Sequence, residues 1–454
     1  MKSLTGTLSK KWILFTIISS FIFSACQKQI DQKEVAVTAN GVFKGHLKQT
    51  KDYSSDVAFK WMDMQLRLSA TNATPIGGVP PQRYYAYSAI ALYESVVPGM
   101  PAYLTLSAQL TDMPAMPETL PGFAYHWPTC ANAALAAITH NFFPNTSDAN
   151  KTSIDSLENA LNSAYQAELN TEEFQRSVQF GKTVAELIFD WAKTDGAVNA
   201  NAPYNPPVGP GFWVPTPPAF APAFGAHWGE NRLLVAGSLE GSDPPAPPSY
   251  STDASSDYYK MVKEVYDISQ TLTAGQTALA LFYRDNPGYG GGHYISILRQ
   301  VLQQEQPQLD FTAIVFAKAT ITIVDAGIGC FKTKYQYNQE RPITYIKEVL
   351  GHPLWNSLIV TPNFPDFPSA HSTIAGAFAE VLTGLFGVNY HFTDHSYDYL
   401  GMAPRLYNSF NDLSVEIGNS RLYAGIHYKY SCVAGRDQGR KIGENINNKL
   451  RFLK

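Results

Sequence analysis

Three short segments in the last third of the sequence combine basic, hydroxyl and imidazole side chains. The segments carry, in order, Lys334 with Arg341, Ser369 with His371, and Arg421 with His427. A tetrahedral or trigonal oxyanion is bound by charge-assisted hydrogen-bond donors around its equator, and an imidazole can approach it along its axis. These residue types therefore predict an oxyanion site that the C-terminal third of the chain closes around.

The segment at residues 364–372 is predicted to present its part of the site at the start of a helix. After it, apolar residues recur at three- and four-residue spacing from Ile374 to Leu385, which predicts a helix. Pro368 disfavours helical backbone at the residue before it, and Ser369 is a good N-cap. The first turn of such a helix offers free N–H groups and the positive end of the helix dipole to an anion.

Each of these residues also has a structural explanation when it is taken alone. A lysine and an arginine on a helix usually form a solvated face, a lone histidine is usually structural, and Arg421 could hold a carboxylate. Lys334 and Arg341 would share one helix face only if the helix between them is unbroken. The ordered combination of the three segments, with prolines at positions 342 and 368, favours a common site.

Hydrophobic periodicity predicts a mostly α-helical chain with few strands. The predicted helices cover residues 57–68, 83–97, 131–139, 152–169, 172–191, 257–272, 274–284, 293–302, 311–336 and 341–350, and one follows Ser369. The run from Phe311 to Cys330 is apolar enough to suggest a membrane span. Lys318 and Asp325 inside it favour a buried helix of a soluble protein instead.

Residues 199–250 are crowded with proline, glycine and aromatic side chains. One interpretation is a linker between two domains, and the other is a long ordered loop packed over a helical body. The large aromatic groups favour the packed loop, because linkers rarely carry so many of them. These groups are Phe212, Trp213, Phe220, Phe224 and Trp228.

The N-terminal sequence predicts that the protein is exported from the cytoplasm. Three lysines precede an apolar run at residues 12–23, and small residues followed by Cys26 come after it. This pattern resembles a bacterial lipoprotein signal, which predicts a signal peptide over residues 1–25, a lipid on Cys26 and a tether over residues 26–50. We therefore predict a lipid-anchored protein of the periplasm or cell surface. A plain secretory signal or a short membrane anchor is the alternative.

Composition narrows the possible partners. The chain of 454 residues is 45% hydrophobic, has a formal charge of −4 and contains no basic run, which argues against a nucleic-acid partner. Its other cysteines, Cys130, Cys330 and Cys432, are widely spaced and include no Cys-x-x-Cys pair. They indicate neither a disulfide framework nor a zinc site.

A second group of histidines invites a metal interpretation. His391 and His395 flank Asp394 at short spacing, but no third ligand follows at a matching distance. Metal sites need at least three such ligands in a compatible arrangement. These three residues are therefore predicted to be loop residues.

Together, the three segments resemble the signature shared by vanadium-dependent haloperoxidases and type 2 phosphatidic acid phosphatases. The signature reads Lys-x6-Arg-Pro, Pro-Ser-Gly-His and Ser-Arg-x5-His, and it is complete here except that Ala370 stands in place of the glycine. The resemblance covers most of the chain from about residue 57, including the proline-rich loop. It implies an all-α helical bundle of the haloperoxidase and acid phosphatase type, as one domain over residues 51–454 with the anion site in 331–431.

The resemblance also implies roles for the site residues. The expected ligands of vanadate, or of phosphate in the same site, are Lys334, Arg341, Ser369, the Ala370 N–H and Arg421. His427 is implied as the axial ligand of vanadium, or as the nucleophile of a phosphatase, and His371 as the acid–base group. Lys334 is further expected to polarise bound peroxide.

Three further residues are candidates near this site. Phe364 occupies a position at which family members carry either an aromatic residue or a histidine, and Phe331 is a second candidate wall of a halide pocket. Core packing is the alternative for both. Asp285 is a candidate partner of Arg421 or His427, with a helix-end cap or a surface carboxylate as the alternative.

Two features favour the haloperoxidase branch. The phosphatase pattern places an aspartate four residues after the second histidine, where this chain has Ser431. Lipid phosphatases commonly span membranes several times, and no convincing span follows the signal sequence. We therefore predict a vanadate-dependent haloperoxidase that oxidises iodide, bromide or chloride with hydrogen peroxide. The alternatives are an acid phosphatase acting through a phosphohistidine at His427 and a non-catalytic lipoprotein. The charges gathered around one cavity argue against the latter.

Overall fold

The computed structural model describes residues 47–76 and 81–454. The predicted signal peptide, Cys26 and most of the predicted tether lie outside the described residues, as do residues 77–80. The packed body begins slightly before the predicted boundary at residue 51. Trp127 Nε1 donates to Lys48 O at 2.9 Å, and Thr50 Oγ1 donates to Val96 O at 2.7 Å.

Thirteen α-helices and one short antiparallel sheet make up the described residues. The helices are α1 (Asp56–Ala70), α2 (Gln82–Val96), α3 (Trp127–Phe142), α4 (Asp148–Gln166), α5 (Thr171–Ala192), α6 (Asp257–Gln270), α7 (Ala274–Phe282), α8 (His293–Glu305), α9 (Leu309–Tyr337), α10 (Pro342–Glu348), α11 (Ala370–Phe386), α12 (Phe410–Tyr423) and α13 (Lys429–Lys449). The sheet pairs β1 (Phe392–Asp394) with β2 (Arg405–Tyr407). The predicted all-α class is confirmed. No helix was predicted for α12 and α13, because polar residues and glycines interrupt their apolar pattern.

Helix α9 forms the centre of the core. By length and composition it could cross a membrane, but 94% of its apolar window is buried inside the protein. The Asp325 side chain in this helix is fully buried and accepts hydrogen bonds from the N–H groups of Leu234 (2.7 Å) and Val235 (3.0 Å). This carboxylate therefore ties the proline-rich loop to the core helix.

The proline-rich loop at residues 199–250 is ordered and packed on the helical body. Trp213 and Trp228 are buried, and Trp213 N donates to Asn338 O at 2.7 Å. Phe220 is 63% exposed and adds little to this packing. The packed-loop interpretation is confirmed, with the tryptophans as its anchors.

Helices α11 and α13 pack closely against each other in the C-terminal region. Gly435, Gly439 and Gly443 recur every fourth residue on the face of α13 that meets α11. A Cβ at Gly439 would lie 1.8 Å from Thr373 O, and one at Gly435 would lie 2.7 Å from Ser369 O. Only glycine permits this approach, which brings the start of α13 beside the N-terminus of α11.

Candidate active site

Lys334 and Arg341 do not lie on one unbroken helix, so the condition attached to their spacing is not met. Helix α9 ends at Tyr337, Asn338 has a left-handed φ of 49°, and Arg341 is the N-cap of α10. The turn nevertheless directs both side chains to the same backbone segment. Lys334 Nζ donates to Pro365 O at 2.7 Å, and Arg341 Nε donates to Phe364 O at 2.7 Å.

The N-terminus of α11 lies in the same region. Ser369 caps this helix, and its Oγ accepts from Ser372 N at 3.4 Å, as the sequence predicted. The Ser369 N–H itself donates to Ser431 O at 3.0 Å, which ties the cap to α13. Ala370 is the first residue of α11, so its backbone N–H has no partner within the helix.

Arg421 and His427 complete the cluster from the end of α12 and the turn that follows it. Arg421 Nη1 donates to the carbonyl of Tyr283. Arg341 Nη1 donates to Ile426 O at 2.8 Å and lies 3.1 Å from His427 Nε2. Backbone carbonyls from three separate segments thus hold the cations in place. The structure brings all of the predicted oxyanion-binding residues together.

Two buried arginine nitrogens indicate the kind of ligand that this cluster binds. Arg341 Nη2 and Arg421 Nε have no hydrogen-bond partner within residues 47–76 and 81–454. Burial lowers the pKa of Lys334 to about 7 and the pKa of Arg341 to about 10, because a charged group loses solvation inside the protein. A tetrahedral or trigonal oxyanion would supply both the missing acceptors and the missing negative charge, so the donor set fits such a ligand.

His427 has a carboxylate partner that sequence analysis missed. Its Nδ1 lies 2.9 Å from Oδ1 of Asp366, and both side chains are buried. Ser431 Oγ donates to the other oxygen of Asp366. Asp366 supplies the carboxylate that position 431 lacks, so Ser431 does not distinguish a haloperoxidase from a phosphatase. A polar residue between Pro365 and Phe367 was the available sequence signal.

The protonation of this pair follows from its burial. Burial, and then the positive charge of Arg341, lower the pKa of His427 well below its ordinary value, so the imidazole is neutral. Burial raises the pKa of Asp366 to about 6, against the lowering effect of Arg341 and Lys334. A neutral imidazole has one ring nitrogen free to act as a ligand or a nucleophile.

His371 pairs with Asp285 on the more exposed side of the cluster. His371 Nε2 lies 3.2 Å from Asp285 Oδ1, and the two side chains are 25% and 56% exposed. The prediction that Asp285 partners Arg421 or His427 is therefore wrong for the contact, although Arg421 acts on it electrostatically. Partial burial alone would raise the pKa of Asp285, but His371 and then Arg421 lower it to about 2.

Phe364 lies beside the cations, and Phe331 packs against Phe364. Their rings are 5.2 Å apart, and the Phe364 ring centroid is 5.0 Å from Lys334 Nζ and 4.9 Å from Arg341 Cζ. Phe331 is buried and packs on Trp228 at 4.4 Å. The Phe364 ring thus covers one side of the two cations, and the role of both rings in halide choice stays a prediction.

The second histidine cluster does not form a metal site in the described residues. Asp394 is not a loop residue, because it ends β1, is fully buried and lies 2.7 Å from His293 Nε2. His395 instead pairs with Asp398 at 2.8 Å. Asp394 and His395 therefore belong to two separate ion pairs.

The chain is similar to several known proteins. Residues 351–453 match the family model of the VCPO second helical-bundle domain. The vanadium-dependent bromoperoxidase of Ascophyllum nodosum is 32% identical over 98 residues, or 19% of this chain and 17% of that protein. The vanadium chloroperoxidase of Curvularia inaequalis is 24% identical over a segment covering 28% of this chain and 29% of that protein. The chain thus matches less than a third of the length of either curated relative.

Solved structures show a likeness over most of the chain. A bacterial vanadium-dependent iodoperoxidase superposes with a TM-score of 0.80 at 29% identity, covering 88% of this chain and 98% of the other. The holo form of a bacterial vanadium-dependent chloroperoxidase gives a TM-score of 0.61 at 15% identity, with 83% and 94% of the two chains covered. The second likeness concerns the fold alone.

Proposed function

Because the chain belongs to the vanadium-dependent haloperoxidase family, we propose that it oxidises halide ions with hydrogen peroxide at the cluster of Lys334, Arg341, Arg421 and His427. The observation that carries this proposal is the pair of buried arginine nitrogens without acceptors beside a neutral imidazole. Such a set binds an oxyanion and leaves one ring nitrogen for its central atom. The family resemblance makes that oxyanion vanadate.

The residues that would hold vanadate are those that the structure gathers at the start of α11. The groups that would bind its oxygens are Lys334, Arg341, Arg421, the Ser369 hydroxyl and the Ala370 N–H, and His427 would coordinate its metal atom. When bound, vanadate supplies a metal centre that activates hydrogen peroxide toward halide without a change of oxidation state. The side chains hold the negative charge of the group and exclude bulk water from it.

The other residues have distinct tasks in the proposed reaction. His371 accepts a proton from hydrogen peroxide at its Nδ1, and Asp285 orients its ring through the contact at Nε2. Lys334 would place its positive charge beside the hydrogen peroxide and so polarise it toward the halide. Phe331 and Phe364 form an apolar wall that keeps water away from the approaching halide. Iodide is the expected first substrate, because it is the most easily oxidised halide and an iodoperoxidase shares the fold at 29% identity.

An acid phosphatase is the second candidate function. The Asp366 carboxylate beside His427 is the observation that favours it, because a carboxylate-paired neutral imidazole is a competent nucleophile toward phosphate esters. Phosphate would then occupy the same donors as vanadate. A phosphohistidine at His427 would be the intermediate of that reaction.

The two functions are separated by one set of assays on the purified chain lacking residues 1–26. Oxidation of iodide, then bromide and chloride, is measured with hydrogen peroxide, with and without orthovanadate, beside hydrolysis of a phosphate ester. Vanadate-dependent halide oxidation that His427→Ala abolishes is the expected result. His395→Ala is the control, because His395 pairs with Asp398 outside the site. Efficient ester hydrolysis that vanadate inhibits, with no halide oxidation, would establish the phosphatase.

We also propose that the protein is anchored to a membrane through a lipid on Cys26, outside the cytoplasm. The basic, apolar and small-residue pattern of residues 1–26 supports this proposal. The wild-type chain should partition into the detergent phase of a Triton X-114 separation, and Cys26→Ser should move it to the aqueous phase. Equal partitioning of both chains would indicate a plain secretory signal or a membrane anchor.

A further inference from the structure

The side chain behind His427 is a carboxylate that the site signature does not include. Asp366 lies in the segment that leads into α11, two residues before Pro368, and its side chain is fully buried. Its Oδ1 lies 2.9 Å from His427 Nδ1, and its Oδ2 accepts from Ser431 Oγ. The carboxylate thus faces the ring nitrogen on the side away from Nε2.

The backbone on both sides of this carboxylate is fixed. Asp366 N donates to Gln339 O at 2.9 Å, and its carbonyl oxygen accepts from Lys334 Nζ at 2.8 Å. The side chain is held by Ser431, which is the third residue of α13. The Asp366 backbone is therefore anchored to two other parts of the site, and turning its side chain away from the imidazole would break the hydrogen bond from Ser431.

The contacts of His427 define which ring nitrogen carries the proton. Arg341 Nη1 lies 3.1 Å from Nε2, and a guanidinium only donates hydrogen bonds. A carboxylate can only accept, so Asp366 Oδ1 at 2.9 Å from Nδ1 places the single proton of a neutral ring on Nδ1 and leaves Nε2, the ring nitrogen nearer to Arg341, as the acceptor. We propose that Asp366 is a positioning residue that fixes the Nδ1–H tautomer of His427, so that the Nε2 lone pair faces the bound oxyanion.

The contact between His427 Nδ1 and Asp366 Oδ1 has the length of a hydrogen bond but not its alignment. Asp366 Oδ1 has no well-aligned donor in the described part of the chain, although Nδ1 is within hydrogen-bond distance. Arg341 Nη1 contacts both ring nitrogens of His427, at 3.1 and 3.5 Å. A small rotation of the ring, once Arg341 engages an oxyanion, aligns the Nδ1–H with the carboxylate. Site hydrogen bonds commonly tighten in this way when a ligand binds.

Asp366 places a carboxylate next to His427 Nδ1, where a carboxylate on residue 431 could also lie. The Ser431 hydroxyl contacts the Asp366 carboxylate directly, so a carboxylate carried by residue 431 would reach the same space next to Nδ1. The chain therefore offers an internal test. Exchanging the two residues, as Asp366→Ser with Ser431→Asp, should move the carboxylate to the other segment and keep it beside the imidazole.

The first experiment reads the tautomer directly and needs no turnover. Nitrogen-15 NMR of histidine-labelled, oxyanion-free full chain should show His427 as the Nδ1–H form in the wild type. In Asp366→Ser we expect a mixture of tautomers or the Nε2–H form, and the exchanged double variant should restore Nδ1–H. Asp394→Asn is the matched control, since Asp394 is an equally buried partner of another histidine, His293. An unchanged Nδ1–H signal in Asp366→Ser would overturn the proposal.

The second experiment compares two oxyanions by calorimetry. Loss of a negative charge from a cationic pocket should leave phosphate affinity equal or higher, because phosphate needs no bond to His427. Vanadate affinity should fall about 10- to 100-fold in Asp366→Ser, as for partners of metal-ligating histidines elsewhere, and return in the double variant. Parallel changes for both oxyanions would show an electrostatic role only and contradict the proposal. Asp366→Asn, which keeps the shape of the side chain, serves if the serine variant unfolds.

This inference rests on the proposed function only in taking His427 as the residue that meets the oxyanion. Tautomer and affinity are measured without halide or peroxide. If the tautomer and affinity results are as expected but no halide is oxidised, only the haloperoxidase proposal is contradicted. If halide is oxidised but Asp366→Ser leaves the His427 tautomer unchanged, only the positioning role of Asp366 is contradicted.

Discussion

His371 Nε2 lies 3.2 Å from Asp285 Oδ1, across 86 residues of sequence and at the more exposed side of the oxyanion site. This contact joins the turn after α7 to the first turn of α11. Arg421 lowers the pKa of Asp285 and also that of His371, where burial has the larger effect. The acid–base group of the proposed reaction is thus coupled to one of the oxyanion-binding cations.

Asp285→Asn should lower kcat for halide oxidation about 10- to 100-fold, because the His371 ring loses the partner that orients it. Orthovanadate affinity should be unchanged or higher, since a negative charge near Arg421 is removed. Steady-state kinetics and calorimetry measure the two effects. Asp398→Asn, at the exposed His395 pair, is the control and should change neither. A fall in affinity with unchanged kcat would assign Asp285 to the oxyanion instead.

Phosphate should stabilise the protein through Lys334. Phosphate at about 100 times its Kd raises the free energy of unfolding by about 2.7 kcal/mol. Lys334→Gln keeps a donor for the carbonyls of Pro365 and Asp366 but loses a charge, which should weaken phosphate binding by about 1.5 to 3 kcal/mol. Urea denaturation with and without phosphate measures this. Lys318→Gln, in the same helix, should respond to phosphate as the wild type does.

Gly439→Ala should destabilise the fold strongly. The new Cβ would lie 1.8 Å from Thr373 O in α11, and separating α11 from α13 to relieve the clash should cost about 3 kcal/mol or more. Thermal unfolding measures the loss. Gly275→Ala in α7 is the matched helical control, because its nearest neighbour would be Thr273 Oγ1 at 4.0 Å. That variant should gain up to about 1 kcal/mol from helix propensity. Equal behaviour of the two variants would show that α13 can shift freely.

Glu94 should make a contribution to stability that is lost as the pH rises from 5 to 8. Burial raises the pKa of this carboxyl from 4.5 to about 7, so the folded protein binds the proton more tightly than the unfolded chain. The stabilisation is present below the unfolded pKa and is lost as the pH passes through the folded one. Between pH 5 and 8 the loss is about 2 kcal/mol.

Glu94→Gln tests this pH dependence. The variant keeps an acceptor for Leu106 N–H but cannot ionise, so its free energy of unfolding should lose about 2 kcal/mol less than the wild type over this range. Denaturation at pH 5, 6, 7 and 8 gives the two curves. Parallel curves would mean that Glu94 keeps an ordinary pKa in the fold.

The sequence by itself predicted the all-α class and the residues gathered at the site. Lys334, Arg341, Ser369, Arg421 and His427 could be found because their types and spacing form an ordered signature. The N-cap at Ser369 and the helix after it could be found because capping and periodicity depend on residues only a few positions apart. Interactions of this kind are local, so the residues that form them can be recognised within a short stretch of sequence.

Only the tertiary structure decided the partners of those residues. Asp366 meets His427 across 61 residues, and Asp285 meets His371 instead of Arg421. Asp394 pairs with His293 in the interior. A carboxylate looks the same in the sequence whether it faces solvent or a histidine. Its partner is selected by how distant helices pack, and here glycines on α13 set how closely the segments carrying the site approach one another.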